Sequence, residues 1–190
     1  MQTLTRNTKE TQITASLEVY GSGDSNIKSG IGFFDHMLQA LCKHANWNLN
    51  LTCNGDLEVD FHHSIEDCGI VIGSLLKSSI FPISQVERFG NASVVMDEAC
   101  VECDLDLSNR PFLVYEVPLS GKVGEFDCEL AEEFFRAVVV NAGISAHIVT
   151  KRGKNHHHLL EATFKAFAVA LRRACTKNEA LGIPSTKGVL

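Results

Sequence analysis

Excess positive charge is absent from this 190-residue sequence: 17 Lys and Arg stand against 23 Asp and Glu, a formal net charge of −6. That disfavours general nucleic-acid binding, which needs a basic face. It does not exclude a small anionic substrate, because a few local Arg and Lys residues can serve one phosphate. No apolar run approaches the ~18–20 residues of a membrane span, and the opening MQTLTRNTKETQ has no apolar signal core. The expectation is a soluble, cytoplasmic protein with no membrane partner. Paired metal-binding cysteines are also missing. Of seven cysteines, Cys100 and Cys103 alone have C-x-x-C spacing, and they sit in an alternating, strand-like stretch without a nearby His. Reduced, buried thiols are therefore expected. Hydrophobic residues at 45% and charged residues at 21% are ordinary globular values, and the length suits one well-buried domain or two fused small halves.

Against these absences stands a concentration of histidine. DFHHSIEDCG places His62, His63 and Glu66 within five positions, and NHHHLLEATFK repeats the order H-H-x-x-E with His157, His158 and Glu161, in a chain of eight histidines. On a helix, residues four apart share a face with Cβ atoms about 5–6 Å apart, so His62 converges with Glu66 and His157 with Glu161. The adjacent His63 and His158 point roughly 100° away. Each start thus offers an imidazole with a carboxylate in one direction and a second imidazole in another. Two such starts brought together could hold two metal ions. Imidazole with carboxylate, without thiolate, suits Mn, Fe, Ni or Zn and does not choose among them.

The surrounding pattern is mixed. TQITASLEVYG alternates as a half-buried strand, Phe34, Leu38 and Leu41 predict a helix to about His44, and NWNLNLTC alternates again. Asn54-Gly55 reads as a hairpin turn continued by LEVD, and the first H-H-x-x-E opens a helix. VECDLDLS alternates, with PFLVYEV as its expected hairpin partner; LAEEFFRAVVV is helical up to Gly143; ISAHIVT is a strand. The second H-H-x-x-E opens a helix with the stripe Leu160, Phe164, Phe167, Leu171 and Cys175. Gly32-Phe33-Phe34-Asp35 and Gly124-Glu125-Phe126-Asp127 are locally alike. The expectation is an α+β fold with an internal repeat of about 90 residues, broken near Gly90. Trp47 and the Phe-rich stripes belong to the core. His44 can serve as a helix C-terminal dipole partner, His147 suits a strand's structural hydrogen bond as well as function, and His156 carries no assignment.

From the residues alone, three readings stay open. One is a two-metal enzyme. A second is a metallohydrolase with Glu as base toward a metal-bound water, although neither cluster has the H-E-x-x-H order of zinc peptidases. The third is a non-catalytic metal-binding or regulatory protein, which would have no need of anion-binding residues.

Longer segments carry a resemblance. VDFHHSIEDCGI and GKNHHHLLEATFK, with GIGFFDHML, ERFG, DLSNRP and the closing PSTKGVL, are similar to the imidazoleglycerol-phosphate dehydratase family across nearly the whole chain. The resemblance implies dehydration of D-erythro-imidazoleglycerol phosphate to imidazole acetol phosphate in histidine biosynthesis. It implies a single domain over 1–190, built as a duplicated ferredoxin-like or ribosomal-S5-domain-2-like unit (about 1–90 and 91–190), each half a β-sheet packed by two helices. It further implies two Mn²⁺ per active site, a homo-oligomer of 24 subunits with sites at subunit interfaces, and, at this length, no fused phosphatase domain.

Carried over by residue, the metal ligands would be His36, His62, His63, Glu66, Glu133, His157, His158 and Glu161. His62, Glu66, His157 and Glu161 would serve one ion, and His63, His158 and His36 the other. Glu133 stands where several relatives carry His, and Phe61 where many carry Asp. Glu10 would be an acid/base at the substrate, with Glu66 and Glu161 also in the catalytic machinery. Arg88, Arg110, Lys165, Ser185 and Lys187 would hold the phosphate, with Glu10 and His36 also against the substrate. The hydroxyl to be lost lies beside an imidazole, with no carbonyl to acidify the neighbouring C–H. Two metals on the ring nitrogens would stabilise a deprotonated ring that expels hydroxide through a diazafulvene-like intermediate.

Overall fold

In a computed structural model, which describes residues 1–188, the first alternation becomes a hairpin. Strand β1 (Gln2–Asn7) pairs antiparallel with β2 (Thr11–Glu18), which buries Ile13, Ala15 and Leu17. Val189 and Leu190, which close the PSTKGVL segment, lie outside the described residues. A short β3 (Ser25–Lys28) leads into α1 (Gly32–Ala45), β4 (Asn48–Gly55) and α2 (His62–Ile80). The second half runs β5 (Phe89–Met96), β6 (Ala99–Asp106), β7 (Phe112–Glu116), a small pair β8 (Lys122–Val123) and β9 (Phe126–Asp127), α3 (Leu130–Ala142), β10 (Ser145–Arg152) and α4 (His156–Ala174).

The sheets are ordered β1-β2-β4-β3 and β5-β6-β10-β7. In each, the third strand in space is antiparallel to its inner neighbour and parallel to the edge strand. Helices α1 and α2 pack on the first sheet, α3 and α4 on the second; α1 meets α4 and α2 meets α3 between them. The fold is α+β, each four-stranded sheet covered by two helices.

Two hairpin expectations fail for one reason. LEVD does not pair across Asn54-Gly55, because β4 already has β2 and β3 on its two edges; residues 57–59 form a turn instead. PFLVYEV does form a strand, but β7 pairs parallel with β10, which occupies the edge of β6 where a hairpin partner would lie. Parallel neighbours require a crossover, here through a helix in both halves. The likeness of Gly32–Asp35 to Gly124–Asp127 also does not extend to structure. The former is the first turn of α1, the latter a β8–β9 turn before α3, and Phe33 and Phe126 pack together with ring centroids 5.1 Å apart.

The helix layers join through aromatic side chains from both halves. Phe34 of α1 meets Phe134 of α3 edge-on at 5.3 Å; Phe134 stacks on Phe164 of α4, and Phe135 contacts both Phe164 and Phe167. All five are buried, as the helical stripes predict. The cysteines are free and buried; because successive strand residues face opposite sides, Cys100 and Cys103 on β6 point apart and cannot chelate one ion. Among the described residues, no helix is long and apolar enough to cross a membrane.

Close backbone approach sets the α2–α3 distance. A Cβ on Gly73 would lie 2.6 Å from the Val138 carbonyl oxygen and 2.9 Å from Asn141 Cβ, and one on Gly69 2.8 Å from Ala137 Cβ. Gly73→Ala is therefore expected to force the helices apart, costing about 1–3 kcal/mol. Thermal unfolding should show a lower midpoint; an unchanged midpoint would mean that the helix pair yields without cost.

Candidate active site

The packing of α1 against α4 has a direct consequence for the polar residues beside it. His36 lies two residues beyond Phe34 on α1, and Glu161 three residues before Phe164 on α4. His36 Nε2 is 3.5 Å and His157 Nε2 3.3 Å from the same oxygen, Glu161 Oε2. The other oxygen, Oε1, accepts from Lys165 Nζ at 2.7 Å one turn further along α4. Among the described residues, His36, His157 and Glu161 are the group of three or more possible metal-ligating side chains whose donor atoms all lie within 4.8 Å of one another. Glu161 is 8% exposed. Burial works to raise its carboxyl pKa, but the hydrogen bond and charge of Lys165, with His36 and His157, outweigh it and hold the group below its ordinary value.

Local sequence explains why α4 starts where it does. Asn155 is the N-cap, its Oδ1 accepting from the backbone N–H of His157 at 2.9 Å and of His158 at 3.3 Å. His158 turns away from the His157–Glu161 direction, as the helical offset predicts. Its Nδ1 lies 2.8 Å from Glu98 Oε2, at the β5–β6 turn. Glu98 Oε1 also accepts from the backbone N–H of Lys154 and Asn155. These three donors lower the Glu98 carboxyl to about 2, and the His158 pKa is raised by the same pairing.

At the start of α2, Asp60 accepts from the His62 backbone N–H at 2.7 Å. His62 Nε2 faces Glu66 Oε2 at 4.0 Å. His63 points elsewhere, its Nδ1 3.0 Å from Asp56 Oδ2, while its Nε2 lies 3.9 Å from Glu10 Oε1. The Asp56 hydrogen bond raises the His63 pKa. The helix start is itself anchored: buried Asp67 accepts from Arg6 Nε at 3.0 Å and from the Thr11 hydroxyl, tying α2 to the first hairpin.

The partition expected from the resemblance differs from the geometry within one chain. His36 stands with His157 and Glu161, not with His63 and His158, and His62 with Glu66 does not join that group. Glu133, in the first turn of α3, lies 4.0 Å from Arg136 and outside the group. The physical reason is connectivity: α1 packs beside α4 in one chain, whereas α2 packs beside α3.

A polar pocket of about 380 Å³ forms at another place, lined by Arg88, Ser108, Asn109, Arg110, Ser185, Thr186 and Lys187. Four of the five expected phosphate-binding residues meet there. Lys165 does not; it is held on α4 by Glu161. Arg88 and Asn109 have left-handed backbones, φ 69° and 52°, a conformation uncommon for side-chain-bearing residues and frequent at ligand sites. Arg88 is engaged by Asp106 (Nε 2.7 Å, Nη2 3.1 Å) and donates Nη1 to the Pro184 carbonyl, which ties the closing segment to the pocket. The Arg110 backbone is fixed instead, its carbonyl accepting from the hydroxyls of Ser108 and Ser145.

Sequence reasoning missed Asp56, Asp60, Glu98 and Asn155. Asn155 and Asp60 carried a readable signal, a short polar residue just before each histidine run; Asp56 lies seven residues before His63 across a turn and Glu98 sixty residues before His158, and neither spacing marks a contact.

The sequence profile of imidazoleglycerol-phosphate dehydratase matches residues 29–171. The chain belongs to the imidazoleglycerol-phosphate dehydratase family. That family consists of hydro-lyases of histidine biosynthesis. Imidazoleglycerol-phosphate dehydratase of Wolinella succinogenes is 68% identical over 190 residues, covering 100% of both chains, and that of Aliarcobacter butzleri is 66% identical with the same coverage. A crystal structure of the Staphylococcus aureus enzyme superposes with a TM-score of 0.83 at 41% identity, covering 94% of this chain and 100% of that one. The Pyrococcus furiosus enzyme, solved in complex with (S)-C348, gives 0.85 at 34%, covering 98% and 100%.

Proposed function

We propose that the chain dehydrates D-erythro-imidazoleglycerol phosphate to imidazole acetol phosphate with two Mn²⁺ per active site. The observation that carries the metal reading is the convergence of His36, His157 and Glu161 on one point from two different helices. Their donor set fits the ion: two imidazoles and a carboxylate, with the thiols buried in the core. Bound there, the ions would supply Lewis acidity to the substrate's imidazole ring, the electron source for expelling hydroxide.

The chain's own residues divide the remaining work. Arg88, Arg110, Ser185 and Lys187 bind the phosphate through charged and hydroxyl donors. Glu10, exposed on the β1–β2 turn beside His63, is free to move a proton at the substrate carbon. Lys165 holds one oxygen of Glu161 and so aims the other at the two imidazoles. His62, His63, Glu66 and His158 supply further ligands. We place Glu133 outside this set.

Three ligands in one chain leave an octahedral ion incomplete, and the two H-H-x-x-E starts are not joined within a chain. This supports a homo-oligomer in which copies complete each other's sites; the 24-subunit assembly follows from the resemblance. The common strand order of the two sheets supports one domain over 1–190 made of two repeats, about 1–90 and 91–190. A cytoplasmic location fits the pathway, and neither nucleic acid nor membrane is a partner.

Chelator-stripped protein should give no imidazole acetol phosphate from the substrate, and added Mn²⁺ should restore it. Product formation by metal-free protein would overturn the metal reading. Restored metal without product would overturn the reaction.

A further inference from the structure

Both second histidines of the H-H-x-x-E motifs are held through Nδ1. Asp56 Oδ2 takes that nitrogen of His63 at 3.0 Å, and Glu98 Oε2 that of His158 at 2.8 Å. The two carboxylates come from different places in the two halves. Asp56 directly follows β4. Its counterpart directly after β10 is Gly153, where a Cβ would lie 2.7 Å from Leu159 Cδ2 and 3.0 Å from Ala99 Cα, so no side chain fits. Glu98 directly precedes β6. The residue directly preceding β2 is Glu10, which stands 3.9 Å from His63 Nε2 and does not hold Nδ1. The comparison is in register, since Thr11, Ile13, Ala15 and Leu17 of β2 and Ala99, Val101, Cys103 and Leu105 of β6 face the core in the same alternation. Near the free nitrogen of His158, Asp97 Oδ2 at 3.6 Å is too distant for a hydrogen bond.

We propose that Asp56 and Glu98 are positioning residues that fix His63 and His158 as Nδ1–H tautomers and present Nε2 of each ring to the metal. An ionised carboxylate can only accept a hydrogen bond, so in the neutral ring the facing nitrogen carries the proton and the other keeps its lone pair. One consequence is a division of labour between the halves. The second half spends its hairpin-tip carboxylate on His158 because Gly153 leaves no alternative, while Asp56 releases Glu10 in the first half for the substrate. This inference rests on the proposed reading of His63 and His158 as ligands.

Glu98→Gln separates positioning from loop anchoring. The amide carbonyl can still accept from the Lys154 and Asn155 N–H groups, which turns the NH₂ toward His158 Nδ1. A donor there demands the opposite tautomer, with Nε2 protonated and blocked. Solid-state ¹⁵N NMR of histidine-labelled, metal-free protein, prepared alkaline enough for the imidazoles to be neutral, should show His158 switching tautomer, its signals identified by their loss in His158→Gln. Mn²⁺ affinity, measured from free-ion EPR, should fall roughly 10- to 100-fold. An unchanged tautomer or an unchanged affinity would overturn the inference. His158→Gln tests the underlying reading: Mn²⁺ binding as tight as in the unsubstituted protein would remove His158 as a ligand and the inference with it. Weakening in His158→Gln without weakening in Glu98→Gln would overturn positioning alone. Should Glu98→Gln not fold, Asp56→Asn puts the same test to His63.

Discussion

Glu161→Ala is expected to lower kcat by about three orders of magnitude and to deplete bound metal. A metal's stabilisation of developing charge is worth several kcal/mol, and each ~1.4 kcal/mol is a factor of ten in rate. Glu161 is the carboxylate on which His36 and His157 converge, and its other oxygen pairs with Lys165. Removing it takes away a ligand and leaves the Lys165 ammonium nearby, where it repels a cation. Glu161→Gln keeps the side-chain shape, so its loss of metal with an intact fold would isolate the charge. Metal analysis together with steady-state kinetics decides the matter, and full activity in Glu161→Ala would remove the residue from the site. His62→Ala should give a comparable loss, although His62 lies outside the Glu161 group of its own chain. If copies complete each other's sites, assemblies mixed from equal amounts of the two inactive variants regain about a quarter of the sites, because each site draws one start from each of two chains. No recovery on mixing would confine each site to one chain.

Arg110→Ala should raise KM for the phosphorylated substrate about 10- to 100-fold while leaving kcat nearly intact. The charged hydrogen bonds lost are worth about 1.5–3 kcal/mol, and the phosphate lies away from the bonds being broken, so ground state and transition state lose it alike. The neighbouring Arg88 should behave differently. Its Nε, Nη1 and Nη2 are engaged by Asp106 and the Pro184 carbonyl, so Arg88→Ala should lower thermal stability as well as substrate affinity. Arg110 has its backbone pinned by Ser108 and Ser145, and among the described residues its guanidinium donates no hydrogen bond. An unchanged KM in Arg110→Ala would remove that residue from the proposed phosphate contacts.

Periodicity located the buried strands and the four helices, because the faces that must leave water impose their own repeat on the sequence. It also showed that His62 and Glu66, and His157 and Glu161, share helix faces, since that convergence is set by helix geometry within five residues. Strand partners were not legible in this way. Whether β7 lies beside β6 or β10 depends on which edge remains open after β10 has been placed, and no local pattern encodes that. His36 shows the same limit at the site. Nothing near it in sequence indicates His157 and Glu161; the packing of α1 beside α4 brings them together. The sequence by itself therefore determined the residue chemistry available: two imidazole–carboxylate helix starts, the Arg, Lys and Ser side chains that the resemblance assigns to a phosphate, and a set of buried thiols. Tertiary structure alone decided that His36 joins His157 and Glu161, and that Asp56 and Glu98 face Nδ1 of His63 and His158. These contacts cross a turn, span sixty residues within the second half or pass between the two halves of the chain, and their distances are fixed by packing rather than by helical spacing.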